Sequence, residues 1–429
     1  MRYQPIDASL YTRNRAKLVE MLAPNSIAVF QSNDVMPTNA DGTMKFRQNN
    51  DIFYLSGIDQ EESVLVLCPD FPKADRKEIL FIRKTDDHIA VWEGHKLTQE
   101  EATERSGIKH VQWVENFDAV FATLMALSET VYLNTNEHLR ASLLVETRDA
   151  RFIKSCKKRY PLHTYKRVAP LMHTLRALKE TEEVAQIQMA CDITHDGFRR
   201  ILNAVKPGIK EYELEAEFLH EFIRQGSRGF AYEPIIASGK NACVLHYVQN
   251  DQICQDGDLI LFDVGAEYGN YNADMTRTIP VNGRFTKRQR EVYEGVLRVM
   301  RTAFTVLRPG VTIQDYHKEM GLIMQSELIS LGLISQADID SEDKNSPAYK
   351  KYFMHGTSHH LGLDVHDVGT MYEPIQAGMV FTVEPGIYIP EEGIGIRLEN
   401  NIVIQENGYL DLMSHIPIDP DEIEELMNK

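Results

Sequence analysis

Residues 258–281 read DLILFDVGAEYGNYNADMTRTIPV, and this stretch decides how the C-terminal half is read. It alternates in polarity and is rich in β-branched residues on either side of a turn signal at 267–270, the pattern of a β-hairpin. With the turn centred on Tyr268-Gly269, Asp263 falls directly opposite Asp274, with Cβ atoms roughly 5 Å apart.

The construction recurs at 379–404, where MVFTVEPGIYI and IGIRLENNIVI flank Pro390-Glu391-Glu392-Gly393. Centring that loop on Glu391-Glu392 sets Glu384 opposite Glu399. Any one of these acids could sit on a solvated face. Asp263 and Glu384, however, each end an apolar run, and buried carboxylates need partners. Two such pairs repel one another unless cations lie between them. A single β-bulge would break either register.

Between the hairpins lies HGTSHHLGLDVHD at 355–367, with four of the fifteen histidines within twelve residues. A lone histidine reads as a hydrogen-bonded core residue. A cluster beside glycines, which admit close backbone approach, reads as a ligand-bearing segment.

The same half repeats itself. A helical pattern at 181–205 ends in Lys206-Pro207-Gly208, and another at 286–307 ends in Arg308-Pro309-Gly310, a helix stop signal. Each is followed by a second helical pattern, at 211–225 and 315–331, and then by a carboxylate hairpin. Asp263 comes 56 residues after Pro207 and Glu384 75 after Pro309. The polar insertion at 335–352, expected as a surface loop, accounts for the difference. Two α-α-β units closing around a shared site are expected.

Upstream, short β-type runs at 26–30, 63–67, 78–82 and 131–133 alternate with helical patterns at 8–22 and 116–127, which predicts an α/β domain. A basic, proline-punctuated stretch at 157–179 marks the boundary, giving domains 1–170 and 171–429. The length suits two or three domains, and the formal charge of −17 argues against nucleic-acid or anionic-membrane partners. Five cysteines without CxxC spacing indicate neither a disulfide framework nor a thiolate zinc site and point to a reducing, cytoplasmic setting. The first eleven residues have no signal-peptide pattern, and no apolar run approaches the ~20 residues of a membrane span.

The segments FDVGAEYGNYNADMTRT, HGTSHHLGLDVHDVG, TVEPGIY and GIRLENN resemble the ligand-bearing motifs of aminopeptidase P. These are the Xaa-Pro aminopeptidases of the pita-bread metallopeptidase family, which also holds prolidase, creatinase and methionine aminopeptidase. FRQNNDIFYLSG at 46–57 is similar to a signature of the aminopeptidase P N-terminal domain; its aromatics taken alone read as core. The likeness covers essentially the whole chain. It implies an α/β N-terminal domain followed by an α+β pita-bread catalytic domain built from two pseudo-symmetric α-α-β repeats.

The resemblance also implies roles. Asp263, Asp274, His359, Glu384 and Glu399 become the ligands of two divalent metal ions. Asp263 and Asp274 serve one ion, His359 and Glu384 the other, and Asp274 and Glu399 bridge. Such a pair lowers the pKa of a shared water from about 15.7 toward 7. The oxygen-rich set suits Mn²⁺ and permits Co²⁺, Fe²⁺ or Zn²⁺. Glu384 doubles as general base. His366 corresponds to the oxyanion donor and His246 to a histidine across the site, with a buried structural role as its alternative.

His355 and Arg397 correspond to residues beside the proline slot, while Arg397, two residues before Glu399 and so on the same strand face, equally fits a partner of the carboxylates. Trp92 aligns with an aromatic that reaches a neighbouring subunit's site in some relatives, and a core or surface role is its alternative. The position after His359 is commonly aromatic in the family and is His360 here, which leaves the ligand set intact and alters the adjoining pocket.

The expected substrates are peptides with proline at position 2. Their Xaa-Pro amide has no N–H, so a site that grips that hydrogen cannot use them. A homodimer or larger homo-oligomer is expected, since relatives pair through the N-terminal domain. Prolidase, with the same five ligands, is the alternative enzyme. A catalytically inactive pita-bread binding module predicts missing ligands.

Overall fold

The computed structural model describes residues 2–142, 144–343, 346–369 and 372–429. Its contacts divide the chain between Arg176 and Ala177, with the first few residues, up to Gln4, joining the second unit.

The unit Pro5–Arg176 is an α/β layer. Its six-stranded sheet comprises β1 (Ser26–Gln31), β2 (Val64–Leu67), β3 (Glu78–Ile82), β4 (Val111–Trp113), β5 (Thr130–Leu133) and β6 (Thr164–Arg167), in the order β4-β3-β2-β1-β5-β6. The β1–β2 and β2–β3 pairs are antiparallel and the others parallel. The central strands are buried throughout, which is why they read as continuous apolar runs. Edge strand β6 carries Lys166 and Arg167, exposed charges that discourage further pairing. The helices of this unit are α1 (Ala8–Met21), α2 (Asn50–Ser56), α3 (Asp87–Glu93), α4 (Gln99–Ser106), α5 (Phe117–Met125), α6 (Arg148–Arg159) and α7 (Ala169–Ala177), the last crossing the boundary. The FRQ-like signature is structural: Asn49 caps α2, buried Gln48 donates to the carbonyls of Ile58 and Gln60, and Phe53 and Tyr54 lie in the core.

In the unit Ala177–Lys429, α8 (Thr181–Ala204) and α9 (Glu211–Arg224) precede the first carboxylate hairpin, and α10 (Lys287–Val306) and α11 (Ile313–Ser330) precede the second. The buried side of α8 recurs at Ile187, Cys191, Thr194, Phe198 and Ile201, an amphipathic stripe. A Cβ on its Gly197 would lie 2.8 Å from Phe218 and Phe222, so glycine lets α9 pack close. The insertion at 335–352 is not all loop. Ser335 and Asp338 form a capping box that starts the short helix α12 (Gln336–Asp340), a 3₁₀ turn spans Ala348–Lys351, and residues 344 and 345 lie outside the described residues. A final helix, α13 (Pro420–Met427), follows the sheets.

The first sheet runs β11-β8-β7, from β7 (Ile235–Ser238), β8 (Leu259–Val264) and β11 (Met275–Pro280). The hairpin tip is the pair β9 (Glu267–Tyr268) and β10 (Tyr271–Asn272). The second hairpin pairs β12 (Val380–Val383) with β15 (Asn400–Ile404), and β13 (Gly386–Ile389) with β14 (Ile394–Arg397), while β16 (Tyr409–Asp411) flanks β15. The hairpins meet where Glu399 N–H donates to the Thr276 carbonyl at 3.0 Å and Thr278 Oγ1 donates to the Arg397 carbonyl at 3.2 Å. Among the described residues no helix is long and apolar enough to cross a membrane, and all five cysteines are free.

Candidate metal centre

The first hairpin does not have the expected register. Asp263 faces Thr276 rather than Asp274, because the turn centres on Gly269-Asn270 and every pair shifts by two residues. Gly269 and Asn270 both adopt positive φ, 59° and 71°, as a two-residue hairpin turn of type I′ demands. A slip of two preserves the face, so Asp263 and Asp274 remain diagonal neighbours on one side. Gly265 is required between them: a Cβ there would lie 1.8 Å from the Ala273 carbonyl oxygen.

The second hairpin has the expected register. Val383 pairs with Asn400 and Gly386 with Arg397, and Leu398 N–H donates to the Pro385 carbonyl, which sets Glu384 opposite Glu399. Pro385 lacks an N–H and interrupts the ladder there. The histidine segment lies along β12 as an additional strand-like strip. Glu384 N–H donates to the Thr357 carbonyl, Thr382 N–H to that of His359 and Leu361 N–H to that of Val380. This alignment carries His359 to the two glutamates.

One ligand atom from each of Asp274, His359 and Glu399 lies within 4.8 Å of the others. His359 Nε2 is 3.5 Å from Asp274 Oδ2 and 3.6 Å from Glu384 Oε1, and its Nδ1 bonds to the His360 carbonyl at 2.9 Å. That bond leaves Nε2 as the nitrogen that could take a metal. The Tyr232 hydroxyl lies 2.5 Å from an oxygen of Asp263 and of Asp274, and Arg397 Nη2 bonds the other Asp263 oxygen.

Electrostatics expose the strain of this assembly. Burial, reinforced by the neighbouring carboxylates, drives Glu399 well up. Glu384 is pushed up to about 7, burial outweighing the attraction of His359 and Arg397. Burial also raises Asp263 despite Arg397. Glu399 Oε2 accepts from Thr276 at 2.7 Å, whereas Oε1 is buried with no hydrogen-bond partner. A buried bare carboxylate oxygen costs about 1–3 kcal/mol or more. Cations at this point relieve both the repulsion and the orphaned oxygen, so the donor set fits hard divalent ions.

His366 is exposed, with its ring 4.4 Å from that of His359. His355 Nε2 is 2.7 Å from the Tyr388 hydroxyl, and burial, with Arg397 beside it, pushes its imidazole down to about 3, so it is neutral. Arg397 is engaged at all three nitrogens, by Thr276, Tyr388 and Asp263. His246 is exposed, on the loop after a 3₁₀ turn at Gly239–Cys243. Trp92 belongs to α3 in the other unit and is 77% exposed. His360 packs its ring 4.3 Å from that of Phe381 and fills the space over Gly369, where a Cβ would meet it at 2.1 Å.

Residues 185–406 match metallopeptidase family M24, and residues 11–132 match the aminopeptidase P N-terminal domain. The chain belongs to family M24. Within M24 it is 37% identical to the Xaa-Pro aminopeptidase of Escherichia coli K12, over 97% of each chain. It superposes on an aminopeptidase of Pseudomonas aeruginosa with a TM-score of 0.89 at 33% identity, covering 99% of this chain and 98% of that one. An E. coli aminopeptidase P variant in complex with substrate superposes with a TM-score of 0.85 at 36% identity, over 99% of both.

Sequence reasoning missed several supports of this M24 centre. Tyr232 stands outside every quoted motif and offered no signal. Thr276, Tyr388 and Asn401 lie inside the motifs, but only the crossing of the two hairpins reveals what they touch.

Proposed function

We propose that this chain is a Xaa-Pro aminopeptidase whose centre holds two divalent metal ions, Mn²⁺ in the first instance, on Asp263, Asp274, His359, Glu384 and Glu399. The observation that carries this is the bare, buried Glu399 Oε1 among carboxylates that burial has driven up. When bound, the ions polarise the scissile carbonyl and acidify the attacking water.

The protein's own groups do the rest. Glu384 takes a proton from the water and returns it to the prolyl nitrogen as that nitrogen leaves. His366, exposed beside His359, donates to the tetrahedral oxyanion, a contact worth about 3 kcal/mol. His246 meets the substrate from across the site. Neutral His355 flanks the proline slot, and Arg397, occupied at every nitrogen, holds Asp263 and Tyr388 in place.

Trp92, with exposed Val91 beside it, serves a neighbouring copy in a homodimer or larger oligomer. The five free cysteines support a cytoplasmic setting. Prolidase is the poorer reading, given the aminopeptidase P N-terminal domain and the relatives matched. An inactive binding module is disfavoured because all five ligand residues are present.

The test is mass spectrometry of products from Mn²⁺-loaded protein given a Xaa-Pro dipeptide and a Xaa-Pro-Yaa-Zaa peptide together. Release of the first residue from the longer peptide supports the proposal. Cleavage of the dipeptide alone makes the protein a prolidase, and no turnover of either overturns the reading.

A further inference from the structure

Arg277 and Asn401 are both fully buried, and neither is among the five ligand residues. Arg277 follows Thr276 on β11, so their side chains leave opposite faces of the strand. Thr276 takes the Glu399 carboxylate on one side. From the other side Arg277 Nη1 donates to the Glu399 carbonyl at 2.7 Å and to the Thr276 carbonyl at 2.9 Å. The rest of the guanidinium anchors outward: Nε to the Pro417 carbonyl at 2.8 Å, Nη2 to Asn400 Oδ1 at 2.8 Å and to the Ile416 carbonyl at 3.4 Å. All five acceptors are uncharged oxygens. A guanidinium's fixed fork suits it to holding several carbonyls at once, which a lysine ammonium does less well.

The second hairpin answers in kind. Asn401 Nδ2 donates to the Asp274 carbonyl at 2.6 Å, and its Oδ1 accepts the Asp274 N–H at 3.0 Å. The side-chain amide thus closes a two-bond ring on the main chain of the ligand residue. Each hairpin therefore sends one buried side chain to grip the backbone of a metal-ligand residue on the other.

We propose that Arg277 and Asn401 are reciprocal positioning residues of the metal centre, fixing the main chains of Glu399 and Asp274 so that both carboxylates meet the ions without rearrangement. The proposal rests on the ligand set given above. It also makes the C-terminal segment at 416–417 part of the centre's frame, through Arg277. Groups that orient metal ligands typically govern affinity by about 10- to 100-fold.

The test compares Arg277→Lys, which keeps the charge and loses the fork, with Asn401→Ala, which changes no charge. Each metal-free variant is first shown to be folded by its melting transition. Mn²⁺ affinity is then measured by titration calorimetry, and the visible spectrum of the Co²⁺-loaded protein reports ligand geometry. The expected result is a Kd for Mn²⁺ raised about 10- to 100-fold in folded protein, with shifted Co²⁺ bands. Wild-type affinity and an unchanged Co²⁺ spectrum overturn the proposal, whatever the change in melting temperature. Should Arg277→Lys fail to fold, Asn401→Ala decides alone. If wild-type protein binds neither metal, the ligand set itself is wrong, a failure distinct from that of the two positioning residues.

Discussion

The Thr276 hydroxyl donates to Glu399 Oε2 at 2.7 Å, a bond that crosses from one carboxylate hairpin to the other. The same oxygen of Thr276 accepts from Arg397 Nε at 3.1 Å, so one buried hydroxyl joins a carboxylate to the arginine that holds Asp263. Replacing it with the near-isosteric valine leaves both groups buried and unsatisfied. Thr276→Val is expected to cost about 1–3 kcal/mol in chemical denaturation. Metal affinity should fall roughly tenfold by calorimetry.

Glu384→Gln keeps a carbonyl oxygen toward the centre and loses the group that accepts a proton. The expected outcome is a fall in kcat of about 10²- to 10⁴-fold with metal content retained. Elemental analysis of the purified variant beside its steady-state kinetics checks both halves.

Much of this site was legible because glycine, proline and turn residues punctuate its strands. Pro390–Gly393 set the second hairpin's register correctly. In the first, the turn was placed one residue too early. Gly-Asn, not Tyr-Gly, is the pair that tolerates two successive positive φ angles, and Tyr268 there would clash with its own backbone. The error of two residues spared the face of every side chain, which is why Asp263 and Asp274 still share one side of the hairpin. What periodicity could not show is lateral contact between segments distant in sequence. Lys179 with Asp367, Tyr232 with both aspartates and Arg277 with Pro417 follow from how segments distant in sequence pack together, not from local pattern.

Lys179 Nζ sits 3.0 Å from Asp367 Oδ2, and both side chains are 1% exposed. Asp367 follows His366 and donates its N–H to the His360 carbonyl, so the ion pair fixes the histidine loop. Removing one partner strands a buried charge. Lys179→Met is expected to destabilise the protein by about 3–5 kcal/mol in urea denaturation, and the double variant Lys179→Met, Asp367→Leu by less.

Glu183 is buried in the first turn of α8, where it accepts from Tyr271 at 3.0 Å and from the Glu180 N–H at 2.9 Å. Burial pushes its carboxyl up from 4.5 to about 7. The folded protein therefore holds a proton that the unfolded chain releases above pH 4.5, and stability falls as pH rises to about 7. Glutamine never ionises; its carbonyl oxygen accepts from the Glu180 N–H, and its amide donates to the Tyr271 hydroxyl in place of the bond the carboxylate accepts. Glu183→Gln should match wild type near pH 4 and exceed it at pH 8 by on the order of 3 kcal/mol, as read by denaturation at the two values.

The most direct measurement is anomalous diffraction from crystals soaked in Mn²⁺. Two anomalous peaks are expected among Asp263, Asp274, His359, Glu384 and Glu399, with Glu399 Oε1 no longer bare. A structure with no peak there, or with metal held only elsewhere, contradicts the account.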